Sequence, residues 1–225
     1  MHQVSLTREL IAAAFPAPIA DDGWTIPVRD DAELAKLLTD QLANSPEPNG
    51  LWVFAYGSLM WKPEIAFDAS RLAVVEGWQR RFCLWQRRYR GSRERPNLML
   101  ALVEGRSCAG MAYRLEGGDV RERFAPIWKR EMIAYGYEAR WVTARTDAGW
   151  VPALAFVAWQ KGPRYAGVIA DDEIASTIAR ACGHVGPGAE YLLETAAKCA
   201  ELGIKDEHLS RIESLVARHL SEASK

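Results

Sequence analysis

The run Trp52-Val53-Phe54-Ala55-Tyr56-Gly57-Ser58-Leu59, followed by Met60-Trp61-Lys62-Pro63, holds the first grouping able to do chemistry. Val, Phe and Tyr favour a short buried strand, which Gly57-Ser58 interrupts. A glycine lets the backbone turn where a side chain would obstruct, leaving the next peptide N–H groups open to a ligand. Such donors suit a carboxylate or a developing oxyanion. A second candidate is Glu131. If residues 119–133 are helical, Val120, Phe124, Ile127 or Trp128 and Glu131 fall on one stripe at steps of three and four. A carboxyl group that continues an apolar stripe is directed to the core side, and burial raises its pKa toward the value a general base needs. The same pattern also fits a partly buried glutamate paired with Arg130, Arg140 or an arginine on a neighbouring strand.

Other residues invite different chemistry. Ser58 lacks the G-x-S-x-G elbow, and no histidine has an evident triad context, so a hydrogen-bonding role suits it better than a nucleophilic one. Seven arginines, Arg80, Arg81, Arg87, Arg88, Arg90, Arg93 and Arg95, alternate with Phe82, Trp85 and Tyr89. That mixture is what a single-stranded nucleic-acid groove uses. A strand also sends alternate residues to solvent, which accounts for most of them, and the formal net charge of −1 argues against nucleic acid. Cys83, Cys108, Cys182 and Cys199 form no C-x-x-C pair, and His2, His184, His208 and His219 are equally scattered, so a metal site has no support.

These groups need elements to position them. Residues 1–50 read as a helical extension and linker, and 51–225 as one domain. Leu6 to Phe15 suggests a short helix, ended by Pro16, Pro18 and Asp21-Asp22-Gly23. Asp30 or Asp31 caps a second helix through Leu42, with Leu34, Leu37, Leu38 and Leu42 on one face, and Asn44 to Gly50 is the linker. Expected strands are 51–57, 71–86, 98–104, 108–115, 138–146 and 150–160. The helix at 119–133 contains Pro126, which must kink it or restart it. The last third is helical: Asp171-Asp172 caps a helix to Ala181, a second covers 188–202, and Asp206 caps the last, to about Ala223. Strands first and helices last make an α+β fold with a mixed sheet, open or closed.

A chain of 225 residues, 49% apolar and 25% charged, is ample for a substantial core and ordinary in composition. Leu10 to Phe15 is too short for a signal segment and lacks a basic lead-in, and no stretch reaches the length of a membrane span. The expectation is a reduced, cytoplasmic protein with no membrane partner.

Several separate motifs occur in a recognisable order: Trp52 to Leu59, Gly77-Trp78-Gln79-Arg80-Arg81-Phe82-Cys83, Tyr89-Arg90-Gly91-Ser92, Trp128-Lys129-Arg130-Glu131-Met132, Gly162-Pro163-Arg164-Tyr165-Ala166-Gly167 and Glu190-Tyr191-Leu192. From about Trp52 to about Leu220 the chain resembles the ChaC-like γ-glutamylcyclotransferases. The resemblance implies a small barrel-like sheet with flanking helices. It also implies cleavage of glutathione to 5-oxoproline and Cys-Gly, without a cofactor, metal, nucleic-acid or membrane partner. The alternatives are cyclotransfer from other γ-glutamyl amides, or a non-catalytic anion- or RNA-binding module. By resemblance Glu131 is the acid/base, and Ala55, Tyr56, Gly57, Ser58, Leu59, Met60, Arg90 and Tyr137 bind substrate. Tyr137 fits a core tyrosine equally well.

Two departures bear on the substrate. Gly186-Pro187-Gly188-Ala189-Glu190 lacks the family's asparagine before Glu-Tyr-Leu, which leaves Glu190 and Tyr191 mainly structural. Trp85-Gln86-Arg87-Arg88 replaces small polar residues ahead of the Arg-Gly turn and alters the expected pocket rim.

Overall fold

Five strands close into a barrel in the computed structural model: β1 (Leu51–Ala55), β2 (Ala69–Gln86), β3 (Asn97–Leu115), β4 (Tyr137–Thr146) and β5 (Gly149–Ala158). Residues 5–21, 23, 25–47 and 49–223 are described; His2, Asp22 and Pro48 of the sequence reading lie outside them. The strands are hydrogen-bonded in the order β1-β3-β2-β4-β5, and β1 returns to β5 to close the sheet. Among the described residues six α-helices accompany them: α1 (Arg8–Ala14), α2 (Asp31–Ala43), α3 (Val120–Met132), α4 (Asp171–Arg180), α5 (Gly188–Glu201) and α6 (Glu207–Ala223). The fold is α+β with a helical last third, as the order of patterns predicts.

The chain divides into two compact units. One comprises Pro27–Arg80 and Ala101–Pro163; the other comprises Met1–Ile26, Arg81–Leu100 and Arg164–Lys225. In the first, the barrel unit, all five residues of β1 are buried. β1 runs antiparallel to β3, with Val53 opposite Tyr113, and parallel to β5, with Val53 opposite Leu154. A strand paired on both sides has both faces covered, which is why it reads as a continuous apolar run. Gly110 of β3 sits against this strand, where a Cβ would collide with the Ala55 carbonyl.

β3 corrects one expectation. Residues 98–104 and 108–115 belong to a single strand, and Gly105-Arg106-Ser107 is an exposed stretch within it. The Gln79 side chain of β2 occupies the space beside Gly105 that a Cβ would need. The glycine thus serves a close side-chain approach and not a turn.

Helix α3 starts at Asp119, whose side chain accepts from the Glu122 N–H at 3.0 Å. Such a cap is worth about 1 kcal/mol. The helix then runs through Pro126 without a break. Pro126 is exposed, so the Glu122 carbonyl that loses its donor faces the watered side. Phe124, Ile127, Trp128 and Met132 are buried on the opposite face. At about 1.5–3 kcal/mol per fully buried large apolar side chain, these outweigh the roughly 3 kcal/mol proline penalty.

In the helical unit, α4 and α6 pack through Ile174, Ile178, Leu209, Ile212 and Val216, all nearly inaccessible. Asp206 caps α6 by accepting from the Leu209 N–H at 2.9 Å. Asp171 and Asp172 do not cap α4, contrary to expectation; Ala170 takes that position without a side-chain bond. The two carboxylates are instead held by α6, Asp171 by Arg211 and Asp172 by Arg218, each at 2.7 Å.

Candidate active site

Where β1 ends, the chain passes through Gly57 into a single 3-10 turn, Ser58–Met60. The Met60 N–H donates to the Gly57 carbonyl at 2.9 Å, so one of the expected free donors is used inside the turn. The N–H groups of Ser58 and Leu59, at the turn's start, have no carbonyl behind them within it. Leu59 would need the Tyr56 carbonyl, and that oxygen instead accepts from Arg80 Nη1 at 2.7 Å. Tyr56, Gly57, Leu59 and Met60 are buried, and only Ser58 is partly open. Tyr113 holds the far end, its hydroxyl donating to the Met60 carbonyl at 3.2 Å.

Arg80 is the residue that sequence reasoning did not single out from a run of mostly solvated arginines. It is 3% exposed, and it also donates to the Ala109 carbonyl of β3. The inward turn of Arg80 is a matter of parity that the sequence alone does not show. Within β2, Gly77 adopts φ +79, a left-handed conformation that glycine alone takes freely. Before it Ala73 and Val75 are buried; after it Arg80, Phe82 and Leu84 are. From Arg80 to Leu84 the even positions are buried, and Cys83 with them, so the odd positions no longer form the inward set by themselves.

Glu131, in the last turn of α3, has a side chain only 12% exposed. Arg130 Nε donates to its Oε1 at 2.9 Å, while Arg130 Nη1 reaches the Lys62 carbonyl at 2.7 Å and Glu64 Oε2 at 2.8 Å. One guanidinium therefore clasps the glutamate to the segment that leaves the Gly57 turn. Burial alone would lower the basicity of Arg130; Glu131 and Glu64 overcome it and raise its pKa above the ordinary arginine value. The hydrogen bond from Arg130, with the charges of Arg130 and Lys62, holds Glu64 below the usual carboxylate range. Glu64 also adopts φ +65, a conformation that costs a non-glycine residue about 1–2 kcal/mol and tends to persist where function over-determines the backbone.

Phe156 of β5 gathers the remaining residues of the barrel unit. The Tyr56 hydroxyl donates to its carbonyl at 2.5 Å. Its ring lies 6.4 Å from that of Tyr137 and 6.2 Å from that of Trp128, one turn before Glu131. Tyr137 is 5% exposed and opens β4 opposite Ala158. Phe156 thus touches Tyr56, Tyr137 and Trp128, while Glu131 is tied through Arg130 to the Lys62 carbonyl and Glu64. The barrel unit contains no histidine, so Ser58 has no imidazole within its own unit to activate it.

Arg90 belongs to the helical unit, where it donates to the Pro187 carbonyl at 3.0 Å and to Glu190 Oε2 at 2.6 Å. That pair ties the Arg-Gly turn to the start of α5 and agrees with a structural part for Glu190. Arg87, Arg88, Arg93 and Arg95 line a cavity of about 300 Å³ with Asp21 and His184 in the same unit. Arg88 pairs with Asp21 at 2.7 Å. Among the described residues, no group of three or more His, Cys, Asp or Glu is arranged to hold a metal, and no helix is long and apolar enough to cross a membrane.

A closed five-stranded barrel with a glycine-opened strand end, and a half-hidden carboxylate clasped to the segment beyond it, defines a class of small α+β proteins. Residues 51–219 match the model of the ChaC-like proteins, and the chain belongs to that family. It is 36% identical over 189 residues to the glutathione-specific gamma-glutamylcyclotransferase of Escherichia coli, covering 84% of this chain and 82% of that protein. It is 36% identical over 184 residues to glutathione-specific gamma-glutamylcyclotransferase 1 of Homo sapiens, covering 79% and 83%. Enzymes so named are lyases. The crystal structure of a yeast γ-glutamyl cyclotransferase specific to glutathione superposes with a TM-score of 0.70 at 19% identity, over 76% of this chain and 97% of that one. At that identity the likeness speaks for the fold.

Proposed function

We propose that this chain is a γ-glutamylcyclotransferase acting on glutathione, with Glu131 as general acid/base and the Tyr56–Met60 turn as the cradle for the γ-glutamyl group. The carrying observation is the Arg130 clasp, which ties a largely covered carboxyl group to the segment leaving that turn. A γ-glutamyl amide contains its own nucleophile. The α-amine attacks the γ-carbonyl carbon, a nitrogen–carbon bond closes a five-membered lactam, and the bond to the cysteine nitrogen breaks. Glu131 takes a proton from the α-ammonium and returns one to the leaving nitrogen, and the second proton shed by the ring nitrogen follows the same route. The products are 5-oxoproline and Cys-Gly.

Proton transfer of this kind contributes about 10²–10⁴ in rate, and holding amine against carbonyl contributes more, since effective molarities reach roughly 10⁵–10⁸ M. The Ser58 and Leu59 N–H groups would meet the α-carboxylate or the carbonyl oxygen. Tyr137 would orient substrate through its hydroxyl. Arg90, committed to Glu190, shapes its loop in this reading. The relatives' activity on glutathione, a metabolite of the reducing cytosol, supports a cytoplasmic site of action.

The test is direct. Purified protein is incubated with glutathione, and 5-oxoproline and Cys-Gly are followed by mass spectrometry beside γ-glutamyl amino acids. Turnover of glutathione above the others is expected. Turnover of γ-glutamyl amino acids alone would replace glutathione as substrate, and inertness toward every γ-glutamyl compound would remove the assignment.

A further inference from the structure

Residues 27–43 precede the span of the ChaC-like match, yet they lie along α3 at point after point. Val28 forms an antiparallel bridge with Ala134, and the Arg29 N–H donates to the Ile133 carbonyl at 2.8 Å. The Arg29 side chain, 7% exposed, donates through Nη1 to the carbonyls of Met132 and Ala134, the latter at 3.1 Å. Its Nε donates to Glu33 at 3.1 Å, and Glu33 in turn accepts from the Tyr135 hydroxyl at 3.1 Å. The guanidinium carbon stands 4.6 Å from the centre of the Tyr135 ring and 5.7 Å from that of Trp159. Further up the helix, Trp128 Nε1 donates to the Leu34 carbonyl at 3.0 Å, and Arg121 Nη2 to Thr39 Oγ1 at 2.8 Å.

Helix ends fray because their last carbonyls have no partner within the helix. Here a cation satisfies Met132, the last residue of α3, where the helix dipole also favours positive charge. Burying a guanidinium is costly unless its hydrogen bonds are satisfied, so a mere surface strap has no use for one. Glu131 is thereby bracketed, by the Trp128 anchor on one side and the Met132 and Ala134 anchors on the other.

We infer that residues 27–43 are a strap that positions Glu131, with Arg29 as the positioning residue that fixes the end of α3. This rests on the reading of Glu131 as the base. Misplacing a reacting group by about 1 Å can cost about 10²-fold in rate. Arg29→Ala is therefore expected to lower kcat for glutathione about 10- to 100-fold with KM within about threefold, because the Gly57 turn is untouched. Arg29→Lys keeps the cation but not the fork and should fall between the two. Ile212→Ala, in the core of α6, supplies a variant of reduced thermal stability whose kcat should stay within about twofold of wild type.

Hydrogen exchange at the amides of residues 129–132 gives a readout free of activity, and it should quicken in Arg29→Ala and not in Ile212→Ala. Unchanged exchange there, a kcat within twofold of wild type, or an equal kcat loss in Ile212→Ala would each overturn the strap. If the wild type turns over no γ-glutamyl compound, the enzyme reading fails while exchange still decides whether the strap orders α3. If Arg29→Ala does not fold, Arg29→Lys decides on the same criteria.

Discussion

Arg80 Nη1 lies 2.7 Å from the Tyr56 carbonyl oxygen, so a buried guanidinium takes the acceptor that the Leu59 N–H would use in its own turn. The same side chain holds the Ala109 carbonyl, which joins the end of β1 to β3. A positive charge fixed behind the turn also makes its N–H groups better hosts for an anion, in a setting where little water screens it.

Arg80→Met removes that lock while roughly preserving volume. The buried Tyr56 carbonyl loses this donor, at about 1–3 kcal/mol, the part-buried Ala109 carbonyl keeps the weak Cys108 thiol, and the turn loses its fixed geometry. Catalytic efficiency is expected to fall at least tenfold, with KM rising, and the melting temperature to drop. Wild-type kinetics in this variant would show that the turn holds its shape without Arg80.

Glu131→Gln keeps shape and removes the basic oxygen. Turnover should fall by about 10²-fold or more with KM little changed and the fold intact by circular dichroism. Arg130→Met probes the clasp differently. Removing a cation from beside a carboxyl group disfavours its charged form, so the acid limb of the kcat profile should move to higher pH. A limb that stays in place, or a Glu131→Gln enzyme of near-normal turnover, would take Glu131 out of its role.

His208 predicts the pH response of stability. Neither ring nitrogen makes a hydrogen bond among the described residues, although Nδ1 stands 3.5 Å from Asp171 Oδ1. Burial lowers its pKa from 6.5, and Arg81 and Arg211 add to this against Asp171 and Asp206. The unfolded chain thus protonates this imidazole first, and the native state loses stability as pH falls below about 6.5, by at most about 1.4 kcal/mol per pH unit. Melting temperatures measured from pH 7.5 to 5.5 should fall more steeply for wild type than for His208→Leu. Parallel curves would exclude the histidine as the cause.

Pro126→Ala should stabilise the protein. Alanine restores an N–H for the Glu122 carbonyl in a helix that already runs through this exposed position. The gain is about 1–3 kcal/mol, or several degrees in melting temperature by differential scanning calorimetry. A lower melting temperature would mean that the proline sets a bend the packing requires.

Local patterns carried much of this protein in the sequence itself. The apolar run ending at Gly57-Ser58, the stripe that turns Glu131 inward and the caps at Asp30 and Asp206 are short-range signals, and the structure contains each of them. They are legible because strand alternation, helical periodicity and capping depend on residues a few positions apart. Tertiary structure alone decided the rest. Gly105 became part of one long strand because Gln79 of another strand fills its side. Arg80 turned inward where the buried set of β2 changes, and only the barrel brings Tyr56 and Ala109 to it. Arg29 gained a place because the end of α3, 103 residues further along, offers its unpaired carbonyls there. A charged side chain is stable inside a protein only when distant backbone supplies its partners, and a linear sequence does not show which backbone that will be.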